Sequence, residues 1–208
     1  PAERAAVEQI RDRIDDARQR LNATAAMRSR VDALSVPLAD ALGHYTSTNA
    51  ALIGLAGELG DMTSEAPIAR ALSAYYNLLE AKDLAGIERA VLANAFAADA
   101  MPPALYRRFL NLIGSESAFL KAFDTLAAPA MRAAYQTALS GPEIDRLGGL
   151  RQRAIERADQ GGFGVDPQQW FDWQTVKIGR LKSVEDTVTA DIVSMAEALR
   201  SQARTDLW

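Results

Sequence analysis

The sequence has no cysteine and a single histidine among its 208 residues. The first absence removes disulfides, thiolate metal sites and thiol nucleophiles. The second removes most zinc, di-iron and histidine-dependent catalytic schemes. His44 itself lies in an apolar helical stripe beside Tyr45 and reads as a packed or capped histidine at the edge of a core. Zincin and Walker motifs are missing, and no pair stands out among the 27 acidic residues, so neither a metal site nor an enzyme is expected. No apolar run reaches the roughly 18 residues of a membrane-spanning helix, and no signal peptide opens the chain. A basic excess is also lacking. Lys plus Arg is 23 against 27 Asp plus Glu, a formal charge of −4, which argues against a nucleic-acid partner. Aromatic residues make up 7%, and no stretch alternates apolar and polar residues for long enough to form a strand.

What is present is alanine, about one residue in five, the best helix former. Val7, Ile10, Ile14, Ala17 and Leu21 follow a three-four spacing on an otherwise charged helix, a coiled-coil-like seam that could pack within the chain or against a second copy in a homodimer. Residues 22–26 are a candidate break. A second seam through Val31, Leu34, Leu38, Leu42, Tyr45, Leu52 and Leu59 predicts a helix over 27–59, kinked at Pro37. A turn is expected at 60–64 and a helix at 67–98. Pro103, Pro129 and Pro142 each mark a further helix start. Gly161-Gly162-Phe163-Gly164 reads as a loop, and Asp166-Pro167 opens a last helix that continues to the end of the chain. The expected fold is all-α: an elongated antiparallel bundle, two stacked four-helix-type bundles sharing long helices, in one domain over 1–208.

Glu3-Arg4-Ala5-Ala6-Val7 is echoed by Glu88-Arg89-Ala90-Val91-Leu92. In wider context, Lys82-Asp83-Leu84-Ala85-Gly86-Ile87-Glu88-Arg89-Ala90 resembles the K-E-x-x-G-x-E-R-A core of the nitrate- and nitrite-sensing domain family. Arg28-Ser29-Arg30-Val31-Asp32, Tyr45-Thr46 with Asn49, and Trp170-Phe171 with Thr175 are similar to further family elements. The resemblance covers nearly the whole chain, and its specific part is the segment around Arg89.

The resemblance implies a sensor that binds nitrate or nitrite between helices and relays the signal by helix shifts. Its anion ligands would be Arg89, then Arg4, with Arg28 a third candidate; no cofactor is implied. The family occurs in chemoreceptors and sensor kinases, so a periplasmic sensor of a membrane receptor acting in chemotaxis is expected. The chain itself would not enter the membrane, but helical ends continuing into transmembrane helices would flank it. Other anions, a carboxylate, a partner protein or a ligand-free scaffold are the rival readings. The chemistry is consistent with the first. Nitrate is planar with three acceptor oxygens, arginine offers a planar donor fork, and charge-assisted hydrogen bonds of about 1.5–3 kcal/mol each can reach micromolar binding. Gly86 admits two explanations, a close approach of ligand or backbone, or tight helix packing. Were the first helix continuous, Arg4 and Arg89 would share a site only across a partner chain.

Overall fold

A computed structural model describes residues 2–205. The helix expected at Pro1 and at Trp208 lies outside them. Among the described residues there are seven helices and no strand: α1 (Ala2–Asp32), α2 (Leu38–Met62), α3 (Ala66–Ala98), α4 (Pro103–Leu126), α5 (Pro129–Ala138), α6 (Pro142–Glu156) and α7 (Pro167–Thr205). The all-α expectation holds. Contacts divide the chain into two compact units, residues 1–76 and 77–208, and α3 runs from the first into the second.

In the first unit α1 packs on α2. Ile10 and Ala17 are buried, whereas Val7, Ile14 and Leu21 stand about half exposed, so the five-residue seam splits into two faces. α1 is continuous through 22–26. The break comes later. A helix spanning 27–59 would place Pro37 in its interior, where it removes a backbone hydrogen bond and clashes with the preceding turn. Instead Pro37 stands immediately before α2. Leu34 takes a left-handed conformation (φ 52°), and the Ser35 amide donates to the Arg30 carbonyl at 2.9 Å, a Schellman-like closure. Leu34, assigned to the seam by its spacing, is therefore 92% exposed. His44 behaves as expected: its Nε2 lies 3.2 Å from the Thr24 hydroxyl, and its ring meets Tyr45 edge-on. The turn between α2 and α3 is also shorter than expected, because α2 continues through Gly60 to Met62.

The second unit is built on strict three-four seams. On α3 these are Leu78, Ala81, Ala85, Glu88, Leu92 and Ala95. On α7 they are Trp170, Gln174, Lys177, Leu181, Val184 and Val188. All of these are buried. α4 adds Phe109, Leu112, Glu116 and Phe123, and α6 adds Leu147 and Ala154. α7 begins as its sequence predicts, with Pro167 in the first turn and the Gln168 amide donating to the Asp166 carboxylate at 3.0 Å.

The loop before α7 is latched to the end of α3. Asp99 adopts positive φ (48°) and its carboxylate accepts from the Phe163 amide at 2.9 Å. Phe163 is thereby inserted edge-on against Phe96. Gly161 (φ +67°) lies so close that a Cβ there would be 2.5 Å from the Asp99 carbonyl oxygen, whereas Gly164 (φ +60°) has nothing within 4 Å of that position. Gly164→Ala should therefore cost only the backbone strain, about 1 kcal/mol, and Gly161→Ala about 2–3 kcal/mol because backbone must also move. Urea denaturation of the two variants checks the difference. Equal costs would show that the latch yields freely.

Candidate functional site

Two neighbouring residues of α3, Glu88 and Arg89, organise the polar interior of the second unit. Glu88 lies on the seam and is buried. Its carboxylate takes the Arg151 guanidinium of α6 in a two-pronged grip, with Arg151 Nε donating to Oε1 at 2.5 Å and Nη2 to Oε2. Oε2 also accepts from the Gln174 amide of α7 at 2.9 Å. Arg151 reaches on to Glu116 of α4, which accepts Lys177 of α7 on its other oxygen. Four helices thus contribute one polar layer to an apolar core.

Charge counting decides what this layer can do. Glu88 and Glu116 supply two negative charges, Arg151 and Lys177 two positive ones, so the layer is neutral. Burial acts most strongly on Arg151 and opposes its charge, but hydrogen bonds and charge from Glu88, then Glu116, outweigh it and raise its pKa above the usual value. Lys177 moves the opposite way. Burial lowers its pKa, Glu116 alone grips it, and Arg151 repels it. A cleft of about 520 Å³ opens here, lined among others by Glu116, Lys121, Asp124, Tyr135, Arg151 and Lys177. The Tyr135 hydroxyl is pushed up by burial and by Asp124 and Glu116. A small anion entering this cleft would have to displace buried carboxylates from their cations, and nothing in the balance of charge favours that.

Arg89 is placed differently. It stands off the seam, half-buried. Its Nη1 donates to the Thr175 hydroxyl at 2.7 Å, and its guanidinium carbon lies 4.3 Å above the centre of the Phe171 ring. Its backbone carbonyl accepts from the Trp170 indole at 3.0 Å. No carboxylate pairs with it among the described residues, and its Nε is buried without a hydrogen-bond partner. Burial, uncompensated by any anion, lowers its pKa. Arg89 lines none of the clefts at Glu8–Asp16, Leu84–Ser115 or Ile113–Lys177. Gly86, one turn earlier, has nothing within 4 Å of a Cβ position, so tight helix packing does not account for the glycine.

The other two candidates lie elsewhere. Arg4 and Arg28 are exposed on α1, and their separation of 24 positions amounts to about 36 Å of helix at 1.5 Å per residue, so they are not brought together. Both belong to the first unit and Arg89 to the second.

Comparisons with known proteins match nearly the whole chain. The model of a family described as nitrate and nitrite sensing aligns with residues 2–193. The chain belongs to the nitrate- and nitrite-sensing family. Among its relatives is a nitrate regulatory protein of Klebsiella oxytoca, 28% identical over 176 residues, covering 84% of this chain and 44% of that protein. Among solved structures it is similar to the NasR transcription antiterminator, with a TM-score of 0.79 and 27% identity over 92% of this chain and 52% of that one. The chain therefore spans about half the length of the relatives it matches.

These relatives correct several expectations. They are a regulatory protein and a transcription antiterminator, so the reading as a periplasmic chemoreceptor sensor in chemotaxis, flanked by transmembrane helices, is set aside. Helical ends on a charged, amphipathic helix carry no information about a membrane, and among the described residues no helix is long and apolar enough to cross one. The exclusion of nucleic acid falls with it. A net charge of −4 describes only the residues counted, and these correspond to 52% of a protein named for acting on transcription.

Proposed function

We propose that this chain is the nitrate- and nitrite-sensing part of a protein that regulates transcription, and that the anion docks on the Arg89 guanidinium. The reading is of a binding module, without catalysis. One observation carries it: Arg89 is a half-buried cation with a neutral hydroxyl and an aromatic face for company and no carboxylate. A guanidinium with no counter-charge and an unpartnered Nε gains a charge-assisted bond from any planar oxyanion that reaches it. Membership of the family supports nitrate or nitrite as that oxyanion. The relatives' names support transcription as the process it reports to.

The test is thermal. An anion at 100 times its Kd stabilises the folded state by about 2.7 kcal/mol, which for a chain of this size raises Tm by about 5–10 °C. Nitrate or nitrite should produce that rise and chloride at matched ionic strength should not. Arg89→Ala should lose the response while keeping the helical circular dichroism of the parent. No rise with either oxyanion removes the proposal, and so does an undiminished rise in the variant.

A further inference from the structure

Among the described residues, the hydrogen bonds and the ring contact that Arg89 makes beyond its own helix come from the first turns of α7. The Trp170 indole donates to its backbone carbonyl, the Phe171 ring lies 4.3 Å from its guanidinium carbon and the Thr175 hydroxyl accepts from Nη1. These three hold the backbone, the guanidinium carbon and one of its nitrogens. The Thr175 hydroxyl is suited to the task, because its own proton is already donated to the Phe171 carbonyl at 2.7 Å. The oxygen is therefore oriented as an acceptor, and it can hold Nη1 without a competing demand. One of the two Nη1 protons is thus taken; of the guanidinium's two donor edges, the side edge formed by Nε and Nη2 holds no partner among the described residues, and because Nε is closed off from solvent an anion enters that edge from Nη2. That edge is the fork that grips two oxygens of one planar anion.

We infer that Thr175 is a positioning residue for anion binding, turning the Arg89 guanidinium so that its Nε–Nη2 edge is presented to a planar oxyanion. The inference rests on the proposed nitrate-binding role of Arg89. A fork that is already aimed binds more tightly than one that must be ordered at the moment of binding. It also discriminates in favour of ligands with two oxygens in one plane over a spherical halide. The same contacts give the anion a direct hold on α7, the 39-residue helix.

Isothermal titration of nitrate into the parent chain, Thr175→Val and Thr175→Ser tests this. Valine keeps the branched shape and removes the acceptor; serine keeps the hydroxyl. Thr175→Val should bind about threefold to tenfold more weakly, the equivalent of one modest hydrogen bond, with Tm in the absence of nitrate close to that of the parent. Thr175→Ser should bind within about twofold of the parent. Unchanged or tighter binding by Thr175→Val overturns the inference while leaving Arg89 as the anion site. Loss in both variants overturns it too, since the hydroxyl would then not be what matters. Absence of binding by the parent chain is a different result, and it removes the functional proposal itself.

Discussion

Glu116→Ala is expected to destabilise the 77–208 unit by about 3–5 kcal/mol, the usual cost of stripping one partner from a buried ion pair. The carboxylate is almost wholly buried and holds two cations at once, Lys177 on one oxygen and Arg151 on the other. Without it Arg151 keeps its grip on Glu88, but Lys177, 5% exposed, is left with no carboxylate in contact. Urea denaturation followed by circular dichroism measures the loss. The double variant Glu116→Ala/Lys177→Met is the discriminating control. It removes one charge of each sign, so the layer stays neutral, and its cost should fall well short of the sum of the two single costs. A Glu116→Ala cost below about 1 kcal/mol would mean that water reaches Lys177 through the adjoining cleft and that the layer is effectively solvated.

The neutral layer also explains how so alanine-rich a seam keeps its register. Three of the six seam positions on α3, Ala81, Ala85 and Ala95, are interchangeable in size, so only the fully buried Leu78 and Leu92 would oppose a slide of α3 by one heptad through apolar burial. Such a slide would also carry Glu88 away from Arg151 and Gln174. One polar contact on each of four helices makes the shifted arrangement costly, the role that a single buried polar residue plays in helical bundles.

Much of this was legible in the sequence, and the failures have physical causes. Helix starts were readable where proline marks them: Pro103, Pro129, Pro142 and Pro167 each open a helix. The break between α1 and α2 was not, because leucine stands where a left-handed turn usually shows glycine. Arg89 stands out in the sequence only as a candidate, through the residues around it. Thr175, which holds it, lies 86 residues further on, and no periodicity connects them. The buried layer does leave a trace in the sequence. Glu88, Glu116, Gln174 and Lys177 occupy positions where three-four spacing demands apolar side chains, and a polar residue at such a position either has a buried partner or breaks the pattern. Location and partners left no such trace, since net charge and helical ends report on solubility and helix content alone.

Trp170→Ala should cost the same unit about 3–5 kcal/mol, as large aromatic truncations in a closed core do. The indole is fully buried and packs edge-on against Phe96 at 5.8 Å between ring centres. Trp170→Phe separates packing from hydrogen bonding. It retains most of the ring contact but removes the indole N–H bond to the Arg89 carbonyl at 3.0 Å, for about 0.5–1.5 kcal/mol, because that carbonyl keeps its backbone partner within α3. The two variants should differ in a second respect. In the phenylalanine variant the fold persists while the backbone of Arg89 loses its anchor, so nitrate affinity should fall even where the chain is fully folded. Equal affinity in Trp170→Phe and the parent would show that Phe171 and Thr175 suffice to hold the guanidinium, and that the indole bond serves only to seat the first turn of α7 on α3.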